Sequence, residues 1–87
     1  MTDAEIISLV NDSLVEEFEL ESSVMVPEAE IFAGLGLDSL DIVDMVVVLE
    51  GAFGIKIRDD ESLREIRTLG DIHNFILQKK RETEAAS

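Results

Sequence analysis

Ser39, His73 and the aspartates Asp38, Asp41 and Asp44 are the side chains of this sequence best suited to chemistry. A serine nucleophile needs a base to take its proton and donors to hold an oxyanion. His73 is the sole histidine and reads as a surface residue of a late helix. The Gly-x-Ser-x-Gly elbow is missing, because the local sequence is Leu37-Asp38-Ser39-Leu40-Asp41. A serine hydrolase is therefore set aside. The three aspartates recur every third residue, and their hard oxygens suit a divalent cation. They lack the spacing of a calcium loop, and a helix would spread them around its surface, so at most a partner completes a weak site there. There is no cysteine, which excludes thiol nucleophiles, disulfides and thiolate metal sites. What remains is an accessible hydroxyl, Ser39, set among acids.

The elements that must position this hydroxyl can be read from caps and periodicity. Thr2 followed by Glu5 forms a capping box. Ile6, Ile7, Val10, Leu14 and Phe18 then recur at helical spacing, so the first helix runs from about Asp3 to Glu19. Residues 20–37 read as a long loop, broken by Ser22, Ser23, Pro27, Gly34 and Gly36. Its apolar residues Val24, Val26, Ile31, Phe32, Leu35 and Leu37 place parts of it on the core. Asp38 is a good N-cap for a second helix that ends near Phe53, with Gly54 as its stop. Ile55 and Ile57 flank Lys56 in a short extended stretch. Asp59 or Asp60 caps a short helix through Ile66. Thr68, with Asp71 three residues on, opens the last helix. Leu69, Ile72, Phe75 and Ile76 are its buried stripe, and Lys79, Lys80 and Arg81 suit its negative end. Residues 82–87 read as a frayed tail and residues 1–81 as one domain.

The second helix carries more apolar surface than a core face needs. At 100° per residue, Ile42, Val46, Leu49 and Phe53 share one arc and face the core. The opposite arc holds Leu40, Val47 and Gly51 beside Asp44, with Val43 and Val48 at its edges. Such a helix is either covered on both sides or carries an exposed strip. In 87 residues there are few elements to cover the far side, and burying its unpaired acids would be costly. An exposed aliphatic strip flanked by carboxylates is the expectation, suited to a partner with an apolar groove rimmed by Arg or Lys.

Charge points the same way. The chain has 20 acidic and 7 basic residues, a formal net charge of -13. Residues 1–55 hold five aspartates, eight glutamates and no Lys or Arg, whereas residues 56–87 sum to zero. This field repels nucleic acid and anionic lipid and attracts basic protein surfaces. With 46% hydrophobic residues the chain is expected to pack a core rather than stay disordered. The longest apolar run, Met45 to Leu49, is far shorter than the ~20 residues of a membrane span. The acidic N-terminus does not read as a signal peptide, so a cytoplasmic monomer that neither binds nucleic acid nor inserts in membranes is expected.

Gly36-Leu37-Asp38-Ser39-Leu40-Asp41 resembles the modification motif of acyl carrier proteins. The resemblance covers nearly the whole chain: an acidic first helix, a long loop, the motif opening an acidic second helix, then Leu49-Glu50, Phe53, Asp59-Asp60-Glu61 and Thr68. It implies an all-α four-helix bundle of three main helices and one short helix. It implies that Ser39 receives 4′-phosphopantetheine from coenzyme A, that the arm carries acyl groups as thioesters, and that the protein itself is no catalyst. The working sulfur would then belong to the arm, which accounts for the missing cysteine. By the same resemblance Asp38 helps hold the Mg²⁺ used by the phosphopantetheinyl transferase. Asp38, Leu40, Asp41, Val43, Asp44, Val47 and Glu50 would contact the transferase and acyl-handling enzymes with basic docking surfaces. Val46, Leu49, Phe53, Ile57 and Ile72 would line an acyl-chain space, or serve as simple core. The helix N-terminus favours the arm's phosphate, but Asp38 and Asp41 oppose it, so a mobile arm is expected.

The sequence departs from the fatty-acid-synthesis pattern at Gly51 and Ala52, where an acid is usual, and at Arg58, where proline is frequent. These departures leave a specialised polyketide or lipid-pathway carrier open beside the housekeeping one. The aspartate before Ser39 and the lack of a Gly-Gly pair argue against a peptidyl carrier. The reading from another class is a small acidic helical adaptor with no prosthetic group.

Overall fold

A computed structural model describes residues 1–58 and 60–86. Its helices are α1 (Asp3–Phe18), α2 (Ser39–Phe53) and α3 (Leu69–Ala86), joined by 3-10 turns at Ser22–Val24 and Glu61–Glu65. The fold is all-helical, and α1 packs against both α2 and α3.

Local sequence sets the helix ends. The Thr2 hydroxyl accepts from Glu5 N while Glu5 Oε1 accepts from Thr2 N. Together they satisfy two amides that the helix itself leaves free. Thr68 and Asp71 make the same reciprocal pair at the start of α3, where Asp71 also accepts from Arg67 N. Gly54 closes α2 at φ 65, and Glu19 closes α1 at φ 54.

Each element contributes to one core. Ile6, Val10 and Leu14 come from α1; Met45, Val46, Leu49 and Phe53 from α2; Leu69, Ile72, Phe75 and Ile76 from α3. The connections add Ile31, Leu35 and Leu37 before α2, and Ile55 and Ile57 after it. Val26 and Phe32 of the long loop are instead exposed. Ile42, placed on the core arc by its angle, is only half-buried, and Met45 takes the central position.

The segment 20–37 is held in place by backbone pairing with the start of α3. Ile31 N donates to Arg67 O, Leu69 N to Ala29 O and Gly70 N to Pro27 O. The last two bonds satisfy first-turn amides of α3, so the loop completes that helix as well as covering it. The segment then winds on itself: Gly34 N and Leu35 N both donate to Glu30 O, and Leu37 N donates to Ile31 O.

Several expectations change here. The short element before α3 is a 3-10 turn ending at Glu65, and it is capped by Asp60, whose Oδ1 accepts from Ser62 N; Asp59 lies outside the described residues. α3 does not end near Arg81 but continues to Ala86. Lys79, Lys80 and Arg81 therefore sit inside the helix rather than at its end. They pair with Asp60 and Glu82, with Glu84, and with Asp3 of α1 respectively. Two of these, Lys79–Glu82 at i,i+3 and Lys80–Glu84 at i,i+4, help carry the helix past its apolar stripe. His73 is not a surface residue: it is 5% exposed, and its Nε2 lies 2.7 Å from Asn11 Oδ1 across the α1–α3 interface.

Candidate functional site

Ser39 is the first residue of α2, and the chain reaches it through Gly36 at φ 73. That left-handed conformation suits glycine and turns the loop into the helix. Leu37 is buried while Asp38, Ser39 and Leu40 are exposed, so the chain surfaces from the core at the motif. Asp38 Oδ1 accepts from Leu40 N at 2.9 Å and from Asp41 N at 3.0 Å. Asp41 Oδ2 accepts in return from Asp38 N at 3.1 Å, and Asp38 O accepts from Ile42 N. Both aspartates thus act as caps, and they use the amides that a phosphate would otherwise seek at a helix N-terminus.

The Ser39 hydroxyl has no hydrogen-bond partner among the described residues. It is exposed, and among the described residues no hydrogen bond joins it to a base. His73 is held elsewhere, and burial pushes its pKa below the usual value. Among the described residues no group of three or more acids or histidines is placed to hold a metal ion. Asp38 Oδ2 has no hydrogen bond among the described residues, so one carboxylate oxygen of the residue preceding Ser39 stays open. The arrangement exposes the hydroxyl without activating it through a hydrogen bond.

Downstream of Ser39, α2 shows the strip that its periodicity implies. Leu40 is 79% exposed, Val43 63% and Val47 50%, with Asp44 exposed among them. A carboxyl of α1 joins this face. Asp44 lies beside Glu17 and raises its pKa, chiefly through a shared hydrogen bond and then through charge repulsion. Glu17, which reads in sequence as part of a solvated helix face, thus extends the negative field around Asp44. Glu50 is differently employed. Its carboxylate accepts from the Arg58 guanidinium at 2.6 Å, from Ile57 N at 2.8 Å and from Arg58 N at 3.1 Å. The Arg58 bond first, and then the Ile57 amide, lower its pKa to about 2. The side chain is 11% exposed. It staples α2 to the following segment and has little surface left for a partner.

A cleft of about 260 Å³ opens beside the strip, lined by Ile42, Val43, Val46, Val47, Leu63 and Arg58. Of the residues expected at an acyl-chain space, Val46 lines this cleft. Leu49, Phe53, Ile57 and Ile72 are packed in the core. Sequence periodicity assigns core residues well, but it does not tell which packed surfaces part. Leu63 and Arg58 could not be placed from α2 alone, because they come from the connection to α3.

This geometry has relatives. A family model described as "Phosphopantetheine attachment site" matches residues 5–76. The chain is 41% identical over 75 residues to an acyl carrier protein of Thermotoga maritima, covering 86% of this chain and 91% of that one. It is 35% identical over 69 residues to an acyl carrier protein of Syntrophobacter fumaroxidans, covering 79% and 84%. The chain belongs to the acyl carrier protein family. An acyl carrier works through phosphopantetheine, and the Ser39 hydroxyl, exposed and without a hydrogen bond among the described residues, fits attachment of that group. The family consists of carriers rather than catalysts. Among the described residues no helix is long and apolar enough to cross a membrane.

Proposed function

We propose that Ser39 is the attachment residue and that the arm it carries delivers acyl thioesters to enzymes docking on α2. The observation that carries this is an exposed hydroxyl, without a partner among the described residues, at the head of an exposed aliphatic strip. In loading, Ser39 Oγ forms a bond to the pantetheine-side phosphorus of coenzyme A. The pyrophosphate P–O bond breaks, 3′,5′-ADP leaves, and the hydroxyl proton passes to a base of the transferase. Asp38 would be the protein's contribution to holding the Mg²⁺ that the transferase uses in that step. Because Asp38 already takes the Leu40 and Asp41 amides and Asp41 takes the Asp38 amide, an attached phosphate would find few free donors at the head of α2, and the arm would swing from its phosphodiester.

Leu40, Val43 and Val47 supply the docking contact, and Asp41, Asp44 and Glu17 steer basic partners. Glu50 shapes this face from beneath. The carrier unit is residues 1–81, which hold every core residue among those described. Because the arm comes from coenzyme A, loading is assigned to the cytoplasm. Gly51 and Ala52 leave the last turns of the exposed face without acids, and Arg58 adds a cation there. This supports a carrier for a specialised lipid or polyketide pathway.

Incubation with coenzyme A, Mg²⁺ and a broad-specificity transferase should add one phosphopantetheine mass to the protein. Ser39→Ala should gain none. Labelling of that variant at the wild-type level would overturn the assignment.

A further inference from the structure

We infer that Phe32 of the long loop, with Arg64 and Arg67 of the connection to α3, forms a second protein-docking surface, opposite in sign to the α2 strip. Its occupant is an acidic segment of a partner enzyme that carries an apolar side chain among its carboxylates. Assigning that segment to the enzymes that dock on α2 rests on the reading of α2 as their contact. Phe32 is 51% exposed, although Ile31, Leu35 and Leu37 of the same segment are buried. Beside it, Ile42, Leu63 and Ile66 line a cleft together with Arg64 and Arg67. Both charged side chains there are cations, in a chain whose net charge is -13. The sorting is local. Side chains three apart eclipse in a 3-10 turn, and Arg64 and Arg67 have that spacing, as do Leu63 and Ile66. Glu65 and Asp71 instead line a separate hollow with Asn74 and Gln78 of α3. Cations therefore point toward Phe32 and acids toward α3.

Both arginines are exposed, and Arg64 forms no ion pair among the described residues. Arg67 Nη1 donates to Arg64 O at 2.7 Å and to Ile66 O at 3.1 Å, which fixes its guanidinium against the turn. Asp71 feels the charge of Arg67, but an oxygen of its carboxylate already serves the Arg67 and Thr68 amides. Cations held beside an exposed ring and aliphatic walls suit a carboxylate carried next to an apolar group. They repel the basic surfaces that the α2 strip attracts. Ile42 and Leu63 line this cleft and also the one beside the strip, so a single partner can span both. An enzyme that does so must present both signs, and the order of the signs fixes which way round the carrier sits. A second copy of this chain also offers acids beside an aliphatic strip, but two molecules of net charge -13 repel each other.

The probes are synthetic helical peptides that share a central pair of leucines and differ only in their flanking residues, which are glutamate, glutamine or lysine. Each is titrated into the 87-residue protein at 0.15 M salt, where the field of the whole molecule is screened beyond about 8 Å but surface contacts are not. Backbone NMR signals report where each peptide sits. The glutamate peptide should shift Phe32, Leu63, Arg64 and Ile66 saturably, and it should bind about threefold tighter than the glutamine peptide. The lysine peptide should spare those signals and shift Leu40, Val43, Asp44 and Val47. Arg64→Glu should weaken the glutamate peptide by roughly three- to tenfold, whereas Arg64→Lys should keep it. Arg64 is the position to change because the Arg67 guanidinium also holds the turn. Phe32→Ser should weaken the glutamate peptide and leave the lysine peptide unaffected. Equal binding of the glutamate and glutamine peptides would overturn the inference, as would undiminished binding by Arg64→Glu. The same signals moving with protein concentration alone would make the occupant a second copy and overturn it too. A lysine peptide that leaves the α2 signals still, while the glutamate peptide binds, would remove the docking role of α2 but not this surface.

Discussion

The Glu50 carboxylate and the His73 imidazole are held in opposite charge states, and both link folding to pH. Glu50 is stabilised as an anion by Arg58 and two amides, with its pKa lowered from 4.5 to about 2. A carboxylate with a depressed folded pKa contributes stability that is present above its unfolded value and lost as pH falls through the folded one. The loss therefore falls between about pH 4.5 and about 2. Glu50→Gln should flatten the acid limb of the unfolding midpoint in that window. His73 is buried and neutral. Asn11 Oδ1 can only accept, so Nε2 carries the proton. Burial holds its folded pKa below 6.5, so the unfolded chain takes up a proton first and stability falls as pH drops past 6.5. His73→Gln keeps a donor for Asn11 and should remove that part of the slope, read as the denaturant midpoint from pH 7.5 to 5.5. Glu17 works in the other direction: the Asp44 carboxyl beside it raises its pKa, so protonation on acidification relieves their contact before an ordinary glutamate would titrate. Neither the Glu50 staple nor the buried His73 was legible in sequence. Glu50 finds its partners seven and eight residues on, beyond the helix, and Asn11 is 62 residues from His73.

At the scale of elements, what was legible is what local chemistry decides. Thr2–Glu5, Asp38 and Thr68–Asp71 mark helix starts because a capping side chain needs only its own next three residues. The loop was legible only as a loop. Its pinning to α3 through Pro27, Ala29 and Ile31 uses backbone groups, which any side chain could carry. Gly34 is the residue this winding demands: a Cβ there would lie 2.7 Å from Glu30 O and 2.9 Å from Glu30 N. Gly34→Ala should cost about 1–3 kcal/mol, as overpacking usually does, measured by urea unfolding with an unchanged m value. The cap of α2 separates Asp38's two duties. Asp38→Ala should lose about 1 kcal/mol of stability. Asp38→Asn keeps the accepting oxygen and should fold like the wild type, yet it should load phosphopantetheine more slowly because it offers Mg²⁺ no charge. Equal loading by Asp38→Asn would show that the cap is its whole role.

Across the whole molecule, a net charge of -13 must be tolerated by the fold and used by its partners. α3 handles its share by pairing, with Lys79, Lys80 and Arg81 each matched to acids. Residues 1–55 have no Lys or Arg of their own, and at Glu17 and Asp44 two carboxyls from different helices meet. Such a contact costs stability, and it also concentrates negative potential beside Leu40, Val43 and Val47. Replacing one of its members should therefore move folding and docking in opposite directions. Asp44→Lys turns a repulsive contact with Glu17 into an attractive one, so its unfolding midpoint should rise above that of the wild type. The same change places a cation on the docking strip, so transferase-catalysed loading at Ser39 should slow. Both effects should be largest at low ionic strength and shrink as the Debye length falls from about 30 Å at 0.01 M to about 8 Å at 0.15 M. A variant loaded as fast as the wild type at low salt would remove Asp44 from the docking face. A variant less stable than the wild type would mean that the two carboxyls do not repel in the folded chain. The combination of higher stability and slower loading is what a merely solvated acid would not produce.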